Sequence, residues 1–263
     1  MMIMRPVPAA TSHPLRVRLA VPPAKKKATA LAQVMVDHIV SNGLQPGDRL
    51  PPESEMVELY GVGRGTLRET LRLLEAQGVV VIRPGPGGGP VVAPLTGEPM
   101  AANMALFLER AGGTFGSVME VRRTIEPEIA ALVAERQDPD ILRDLRNSVN
   151  SDRASLNGTP RLVGVAANFH DFVARSTGNP AFEAILVALH RMTEPFAQRL
   201  RYDDARRSEL LHSHDRIVRA IERGDPGAAR NAMTTDLDDF MRHVETTAPN
   251  MLEELITWEV VEP

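Results

Sequence analysis

The chain has 263 residues, 43% of them hydrophobic and 24% charged, with a formal net charge of −4, which is typical of a globular protein long enough for two domains. It has no cysteine, which excludes a disulfide framework, a thiolate metal site and a cysteine nucleophile. No apolar run approaches the roughly 20 residues that span a bilayer. Prolines interrupt the N-terminal apolar runs, which excludes a signal-peptide core. We therefore predict a cytoplasmic protein with no membrane partner.

The charge is distributed unevenly along the chain. Residues 1–93 carry 11 Lys and Arg against 7 Asp and Glu, whereas the remaining 170 residues carry 19 against 27. A basic head on an acidic body is typical of a phosphate-binding module attached to a domain with another task. Because so small a surplus also arises by chance, the argument depends on the sequence motifs.

The N-terminal stretch, residues 1–27, is rich in proline and ends in three consecutive lysines. This composition predicts a disordered basic arm. The arm either adds contacts to phosphates without recognising sequence or is a solvated tail, which is the more common case. A first amphipathic helix follows, and its predicted apolar side consists of Leu31, Val34, Met35 and Ile39.

Residues 28–93 are predicted to form a winged helix-turn-helix domain. Two short helical patterns are separated by Gly61-Val62-Gly63, where a tight turn is easiest for glycine. Strand-like segments on either side of a glycine run, residues 79–83 and 90–93, predict the wing. Apolar residues at helical spacing give each helix a packing side: Met56, Leu59 and Tyr60 in the first, and Leu67, Leu71 and Leu74 in the second.

The second of these helices carries arginines beside its leucines. Arg64, Arg68 and Arg72 are spaced at i, i+4 and i+8, so they share one face. The start of this helix is the end that a helix-turn-helix protein presents to base edges in the major groove. We therefore predict that double-stranded DNA is the partner. The predicted contacts come from this helix and from the wing: Arg64, Gly65, Thr66, Arg68, Arg72, Arg83 and Gly87.

About sixty residues of this region resemble the winged-helix domain of GntR-type bacterial transcription regulators. The motifs that carry the resemblance are Pro46-Gly47-Asp48-Arg49-Leu50-Pro51, Val62, Arg64, Leu67-Arg68-Glu69, Leu74-Glu75 and Gly78. The resemblance implies a bacterial transcription regulator. Three positions depart from the family pattern: Pro52 replaces a helix-capping serine, Ser54 an arginine that often contacts DNA, and Gly63 a capping serine or threonine. The departures imply an altered operator contact.

A turn-rich linker, residues 94–99, separates this domain from a second one over residues 100–248. The second domain has a helical period nearly throughout, interrupted by glycine and proline at six places. This pattern predicts six to seven helices in an all-α antiparallel bundle, which makes the whole chain mainly α. Residues 249–263 are predicted to be a last short helix and a C-terminal tail, with no assigned role.

The first long helix of the bundle contains an arginine on its predicted inward face. Val121, Ile125 and Leu132 help to define that face, and Arg122 lies within it. A buried arginine needs a partner, because an unpaired charge in an apolar setting is costly. Glu126, one turn further on, is a structural partner of the right spacing, and a bound carboxylate is the alternative. The helix face alone favours neither.

Three further polar residues fall on inward faces of three different helices. His170 and His214 lie among apolar residues, and Asp236 lies at the edge of another apolar face. A single inward histidine is most often a hydrogen-bonded core residue. Two imidazoles and a carboxylate on one bundle, however, suit zinc, nickel or manganese. We therefore predict a divalent metal site formed by these three residues.

Roughly residues 100–245 resemble the FCD effector domain of FadR-type GntR regulators. The resemblance is carried by Val121-Arg122 with Ile125-Glu126, by Phe169-His170 with Gly178-Asn179-Pro180, and by His214 with Ile217, Ala220-Ile221 and Gly224-Asp225. Many such domains hold a metal through one aspartate and three histidines and bind small organic acids beside it. Here His170 and His214 match, whereas Ala166 replaces the aspartate and Asp236 aligns with the last histidine. The resemblance implies an effector site that includes Arg122, Glu126 and Asn179.

With one protein ligand fewer than the family pattern, the site either binds metal weakly, completes its shell with water or effector, or has lost metal.

We predict a homodimeric, ligand-responsive repressor that binds a short inverted-repeat operator and a small carboxylate effector. The alternatives are a metal-free regulator that binds a larger apolar ligand such as an acyl-CoA, and a helical metalloenzyme with a DNA-binding head. We find no catalytic signature for an enzyme.

Overall fold

The computed structural model describes residues 23–85, 88–94, 96–155 and 163–260. They form two compact units that divide between Ala93 and Pro94. Within these residues the structure has ten α-helices and one two-stranded sheet, which confirms the predicted mainly α class. The first unit contains α1 (Pro23–Ser41), α2 (Glu53–Tyr60), α3 (Arg64–Ala76), β1 (Val80–Arg83) and β2 (Gly89–Val92).

The core of the first unit holds the leucine side of α3 against α1 and α2. Leu67, Leu71 and Leu74 are buried, as is Met56 of α2. The buried hydroxyl of Thr70 donates to the carbonyls of Ala28 and Thr66, which ties α3 to α1. Two residues of the predicted apolar stripes are nevertheless exposed, Val34 and Leu59. Helices α1 and α2 therefore bury a narrower face than the one we predicted.

The turn between α2 and α3 and the wing confirm the predicted winged helix-turn-helix. Gly61 adopts a positive φ of 60° at the end of α2, a conformation that glycine reaches without steric cost. Gly63 precedes α3 as an N-cap without a side-chain hydrogen bond, as expected from the missing hydroxyl. The strands pair antiparallel from Val80 opposite Val92 to Arg83 opposite Gly89.

The second unit is a bundle of helices with one continuous apolar core. The predicted glycine and proline breaks after α4, α5, α7 and α9 all separate helices, whereas the predicted break at residues 157–160 lies outside the described residues. The helices are α4 (Glu98–Ala111), α5 (Phe115–Arg136), α6 (Pro139–Ser155), α7 (Val163–Ser176), α8 (Pro180–Ala197), α9 (Asp204–Glu222) and α10 (Pro226–Thr247).

Helix α5 is packed against α7, α8, α9 and α10 and supplies much of the core. Its inward side differs from our prediction, because Val121 and Leu132 are exposed by 45% and 43%. The buried arc instead runs from Val118 through Arg122 and Glu126 to small alanines such as Ala130. Alanines let neighbouring helices approach closely, so they widen the buried arc and rotate it away from the largest apolar side chains.

The C-terminal segment packs onto the bundle. The backbone N–H of Phe115 donates to the carbonyl of Glu254, and that of Ile256 donates to the carbonyl of Gly113. Ile256 is fully buried, and two short 3₁₀ helices, Pro249–Glu253 and Trp258–Val260, flank this contact. The segment predicted as a tail therefore holds the start of α5. None of the described helices combines the length and apolar character that crossing a membrane requires.

Candidate functional site

The exposed face of α3 is cationic. Arg64, Arg68 and Arg72 are all exposed while the leucines between them are buried, so the helix has the two separate faces that its sequence predicts. Gly65 is exposed and Thr66 is half-buried at the start of the same helix. This arrangement leaves the N-terminal half of α3 accessible to a groove of a duplex.

Arg68 has one intramolecular partner. Its Nε lies 3.0 Å from Oε2 of Glu53, and the two side chains are 66% and 41% exposed. A surface pair of this kind contributes about 0–1 kcal/mol, so exchanging it for a base or phosphate costs little. On the wing, Arg83 is exposed at the end of β1, whereas Gly87 lies outside the described residues.

A group of polar side chains is buried at the centre of the second unit. Its members come from four helices and touch one another by hydrogen bonds or charge pairs. They are Arg122 and Glu126 of α5, His170 of α7, His190 of α8 and Asp236 of α10, with His214 of α9 beside them. The three residues predicted as metal ligands are therefore brought together.

His214 has two polar atoms without a partner. Its side chain is fully buried and stacks on Phe169 with ring centroids 4.0 Å apart. Neither ring nitrogen makes a hydrogen bond within the described part of the chain, and its Nε2 lies 4.0 Å from Oδ1 of Asp236. Burial lowers the pKa of His214 to about 4, so the imidazole is neutral at neutral pH and keeps a lone pair available.

His170 lies between two carboxylates. Its Nδ1 is 2.5 Å from Oε2 of Glu126, and its Nε2 is 3.3 Å from Oδ2 of Asp236. Burial by itself lowers the pKa of His170, but Glu126 and Asp236 outweigh it and raise the pKa to about 9. The metal-free protein therefore carries an imidazolium whose Nε2 proton points toward Asp236.

Glu126 connects most of the group. One of its oxygens accepts from Nε of Arg122 at 2.6 Å and lies 3.3 Å from Nε2 of His190, while the other contacts His170. Burial by itself raises the pKa of Glu126, but Arg122, His170 and His190 together hold it well below its usual value. Arg122 also donates to the hydroxyl of Thr193 at 3.1 Å. The buried arginine is thus paired structurally, the first of the two alternatives that the sequence left open.

Two sets of side chains have the spacing of metal ligands, Glu126–His170–His190 and His170–His214–Asp236. In the first set, Glu126 is already neutralised by Arg122 and every side chain has a hydrogen-bond partner. In the second set, His214 is unpartnered within the described residues, and Nε2 of His170, which lies 3.3 Å from Asp236, offers a lone pair to a metal once its proton is displaced. The carboxylate–histidine pair that Glu126 and His170 form is the usual support of a metal-binding imidazole. The second set is therefore the better metal site.

Asp236 is also the floor of a cavity of about 590 Å³. Its wall includes Tyr202, Arg206, Ser213 and Arg216. Burial by itself raises the pKa of Asp236, but hydrogen bonds from His170 and Ser213 and the charge of His170 lower it, so the carboxylate is ionised. A small molecule in this cavity contacts Asp236, one member of the metal-ligand set, and has arginines within the same wall.

Two other predicted residues have different positions. Asn179 is exposed and caps α8, with its side-chain oxygen accepting from the N–H of Ala181 at 3.0 Å, and its role toward an effector stays a prediction. The backbone of Ala166 lies in α7, but its side chain is outside the described residues.

The sequence analysis missed His190 and its partner Asp171. His190 is 2% exposed, its Nδ1 hydrogen-bonds Oδ1 of Asp171, and its Nε2 faces Glu126. The signal was present, since His190 interrupts the apolar run of α8 among Leu186, Leu189 and Met192. Its partner lies on another helix, which periodicity alone does not reveal.

A winged helix-turn-helix joined to a helical bundle with a buried ligand-type cluster defines a DNA-binding regulator with an effector domain. Two family models match the chain accordingly. Residues 27–88 match the family described as bacterial regulatory proteins, gntR family, and residues 117–239 match the FCD domain. The chain is a transcriptional regulator of the GntR family with a C-terminal FCD domain.

Full-length relatives agree with this assignment. The chain is 28% identical over 231 residues to the HTH-type transcriptional repressor NanR of Cronobacter sakazakii, covering 82% of this chain and 85% of the relative. It is 28% identical over 233 residues to NanR of Escherichia coli K12, covering 82% and 84%. The solved structure of Streptococcus agalactiae GntR has a TM-score of 0.65 at 25% identity, covering 83% of this chain and 99% of that one. These domains and relatives are those of transcription regulators and not of enzymes.

Proposed function

We propose that the protein is a homodimeric repressor that binds a short inverted-repeat operator. A small organic acid binds beside a divalent metal in the FCD domain, and this binding weakens or strengthens the binding of the operator. Repression is supported by the printed names of the NanR relatives. A homodimer is supported by the symmetry argument, because two identical heads match two half-sites related by a two-fold axis.

DNA contact is assigned to the cationic face of α3 and to the wing. Arg64 and Arg68 extend from the exposed start of the helix and are placed for base edges, where an arginine forms a bidentate pair with guanine. Arg72 and Arg83, further from that end, are placed for phosphates.

The metal is assigned to Nε2 of His170, a ring nitrogen of His214 and a carboxylate oxygen of Asp236. The observation that carries this assignment is the fully buried His214, whose two nitrogens have no partner among the described residues. Leaving a buried polar atom unpaired is costly, and a cation held jointly with Asp236 removes that cost for the nitrogen that binds it. Zinc, nickel and manganese accept this donor set. Bound there, the ion acts as a Lewis acid that attracts a carboxylate oxygen.

The effector is assigned to the cavity next to Asp236. A carboxylate there can complete the metal shell while Arg206 or Arg216 of the wall balances its charge. Arg122 acts on this site through Glu126 and His170. Since an effector changes DNA affinity only if it favours one arrangement of the two DNA-binding heads, its binding must be coupled to that arrangement.

A comparison of two histidines on one helix tests the metal assignment. We expect His214→Ala to remove nearly all metal from protein loaded with Zn²⁺ and desalted, since it deletes one of three ligands. His212→Ala, on the exposed side of α9 two residues away, should retain about one ion per chain, as in the wild type. Metal content is measured by inductively coupled plasma mass spectrometry. Equal metal in the two variants would refute the site.

A further inference from the structure

A second cavity in the FCD domain has no role in the proposed function. It has a volume of about 590 Å³ and lies between α6, α7, α8 and the residues just before α4. Its wall includes Ser148, Asp171, Phe172, Val187 and Arg191. It shares no lining residue with the cavity beside Asp236.

Arg191, one of the residues of this wall, has a side chain that is 40% exposed and one buried donor without a partner among the described residues. Its Nε is buried and has no hydrogen-bond partner within the described part of the chain, while its Nη1 pairs with Glu194 at 3.2 Å. A buried N–H of a guanidinium calls for an acceptor, and a carboxylate is the strongest one. Phe172 and Val187 on the same wall offer contact to an apolar body. The other arginine of the wall, Arg175, is already bonded to Glu183 at 2.8 Å.

A continuous row of buried groups joins this cavity to the metal-ligand set. Asp171 lines the cavity and hydrogen-bonds Nδ1 of His190, and Nε2 of His190 lies 3.3 Å from Glu126. Glu126 in turn holds Nδ1 of His170 at 2.5 Å. A change of charge or position at Asp171 is therefore passed to a metal ligand through two hydrogen-bonded side chains, each nearly fully buried.

The chain segment that leads into α4 forms the rim of the cavity. Thr96 and Gly97 line it, and Gly97 is pressed so closely against α8 that an added Cβ would lie 2.4 Å from Cγ1 of Val187. These residues follow the last residue of the DNA-binding domain, Ala93, by only a few positions. A ligand in the cavity thus contacts the segment with which the second unit begins.

We propose that this cavity is a second effector site, which binds a small organic carboxylate through Arg191 and is coupled to the metal site through Asp171, His190 and Glu126. Binding at Arg191 stands without any metal, whereas the coupling rests on the proposed metal function. The two parts are therefore tested separately.

The chain has no cysteine, so one introduced thiol reports on the cavity alone. Ala184→Cys places it in the wall, two helical turns from Arg191, and Thr246→Cys on the exposed side of α10 is the reference. The probes are iodoacetate and iodoacetamide, which alkylate the same thiol and differ in having a carboxylate or an amide. The measured quantity is the ratio of their alkylation rates.

We expect the iodoacetate-to-iodoacetamide ratio of the Ala184→Cys protein to exceed that of the reference by about tenfold, the equivalent of one charge-assisted hydrogen bond. Adding Arg191→Gln should return the ratio to the reference value. Adding the matched change Arg175→Gln should leave most of the tenfold difference in place. A ratio for the cavity thiol equal to the reference, or one that Arg191→Gln does not reduce, would overturn the site.

The alkylated proteins then test the coupling. The carboxymethyl and carbamidomethyl adducts of the Ala184→Cys protein should differ by about fivefold or more in Zn²⁺ affinity, measured by chelator competition, as is typical of coupled sites. Asp171→Asn should abolish the difference. Equal affinities of the two adducts would overturn the coupling. Loss of Zn²⁺ binding in every sample would instead refute the metal site together with the coupling, and the alkylation ratio would still decide the second site.

Discussion

At the residue scale, the proposed metal site depends on the proton that His170 carries. The metal-free FCD domain holds a proton on Nε2 of His170, facing Asp236, in the position that a metal ion would share. His214, by contrast, is neutral and unpartnered within the described residues. Metal and proton therefore compete for one lone pair of His170, and they do not compete at His214.

Proton release on metal binding follows from these two pKa values. Because the pKa of His170 is raised to about 9 and that of His214 is lowered to about 4, Zn²⁺ should displace about one proton at pH 7.5. The apparent affinity should rise about tenfold per pH unit below pH 9 and then level off. Titration calorimetry in two buffers of different ionisation enthalpy measures the number of protons released when Zn²⁺ binds. A release of no protons or of two would contradict the assignment.

The removal of Glu126's charge tests whether this carboxylate positions His170 for metal binding. Glu126→Gln should weaken Zn²⁺ binding by roughly 10–100-fold, as loss of a carboxylate behind a metal-binding imidazole does. It should also reduce the protons released, since the charge that raises the pKa of His170 is gone. The control is Glu128→Gln, an exposed residue of the same helix bonded to Arg230, which should change neither quantity. A loss of affinity with an unchanged proton count would indicate general damage to the fold.

At the scale of elements, α3 is the helix to which we assign DNA contact. Its two faces are separated by burial, with the leucines in the core and the arginines exposed. The pair that Arg68 forms with Glu53 is a surface contact that DNA can replace. We therefore expect the exposed side chains of this helix to determine the specificity of the regulator.

Arg68→Ala should weaken operator binding by about 1–3 kcal/mol and relax the preference at one base pair, if Arg68 contacts a guanine. The operator is obtained by selection from random duplex DNA, and affinities are measured by gel-shift titration at fixed salt. Arg123→Ala, which removes an exposed arginine paired with Asp238 in the FCD domain, is the control and should bind normally. An unchanged affinity for Arg68→Ala would remove it from the interface.

The sequence predicted α3 well because its leucines and arginines fall on distinct faces. It predicted α5 poorly, because Val121 and Leu132 were assigned inward on their size while Ala130 and Ala134 determine which side the neighbouring helices approach. The ligands His170, His214 and Asp236 could be found one helix at a time. The His190–Asp171 pair could not, because it joins two helices and exists only in the packed bundle.

At the scale of the whole molecule, the chain joins a winged helix-turn-helix unit to an FCD domain with a buried cluster of charged groups, for which we propose a response to metal and to organic acids. Within the second unit, Thr96 and Gly97 lie at the rim of the second cavity. If the two proposed ligand sites are coupled through the row from Asp171 to Glu126, each must change the binding free energy of the other by the same amount. We propose that the regulator combines two chemical signals in this way.

Native mass spectrometry of the full chain, loaded with Zn²⁺ and mixed with the selected operator duplex, tests the central claim most directly. The account predicts one dominant complex of two chains, one duplex and two metal ions. It also predicts that His214→Ala forms the same complex without the ions. A single chain on the duplex, or a dimer that binds the operator and takes up no metal, would contradict it.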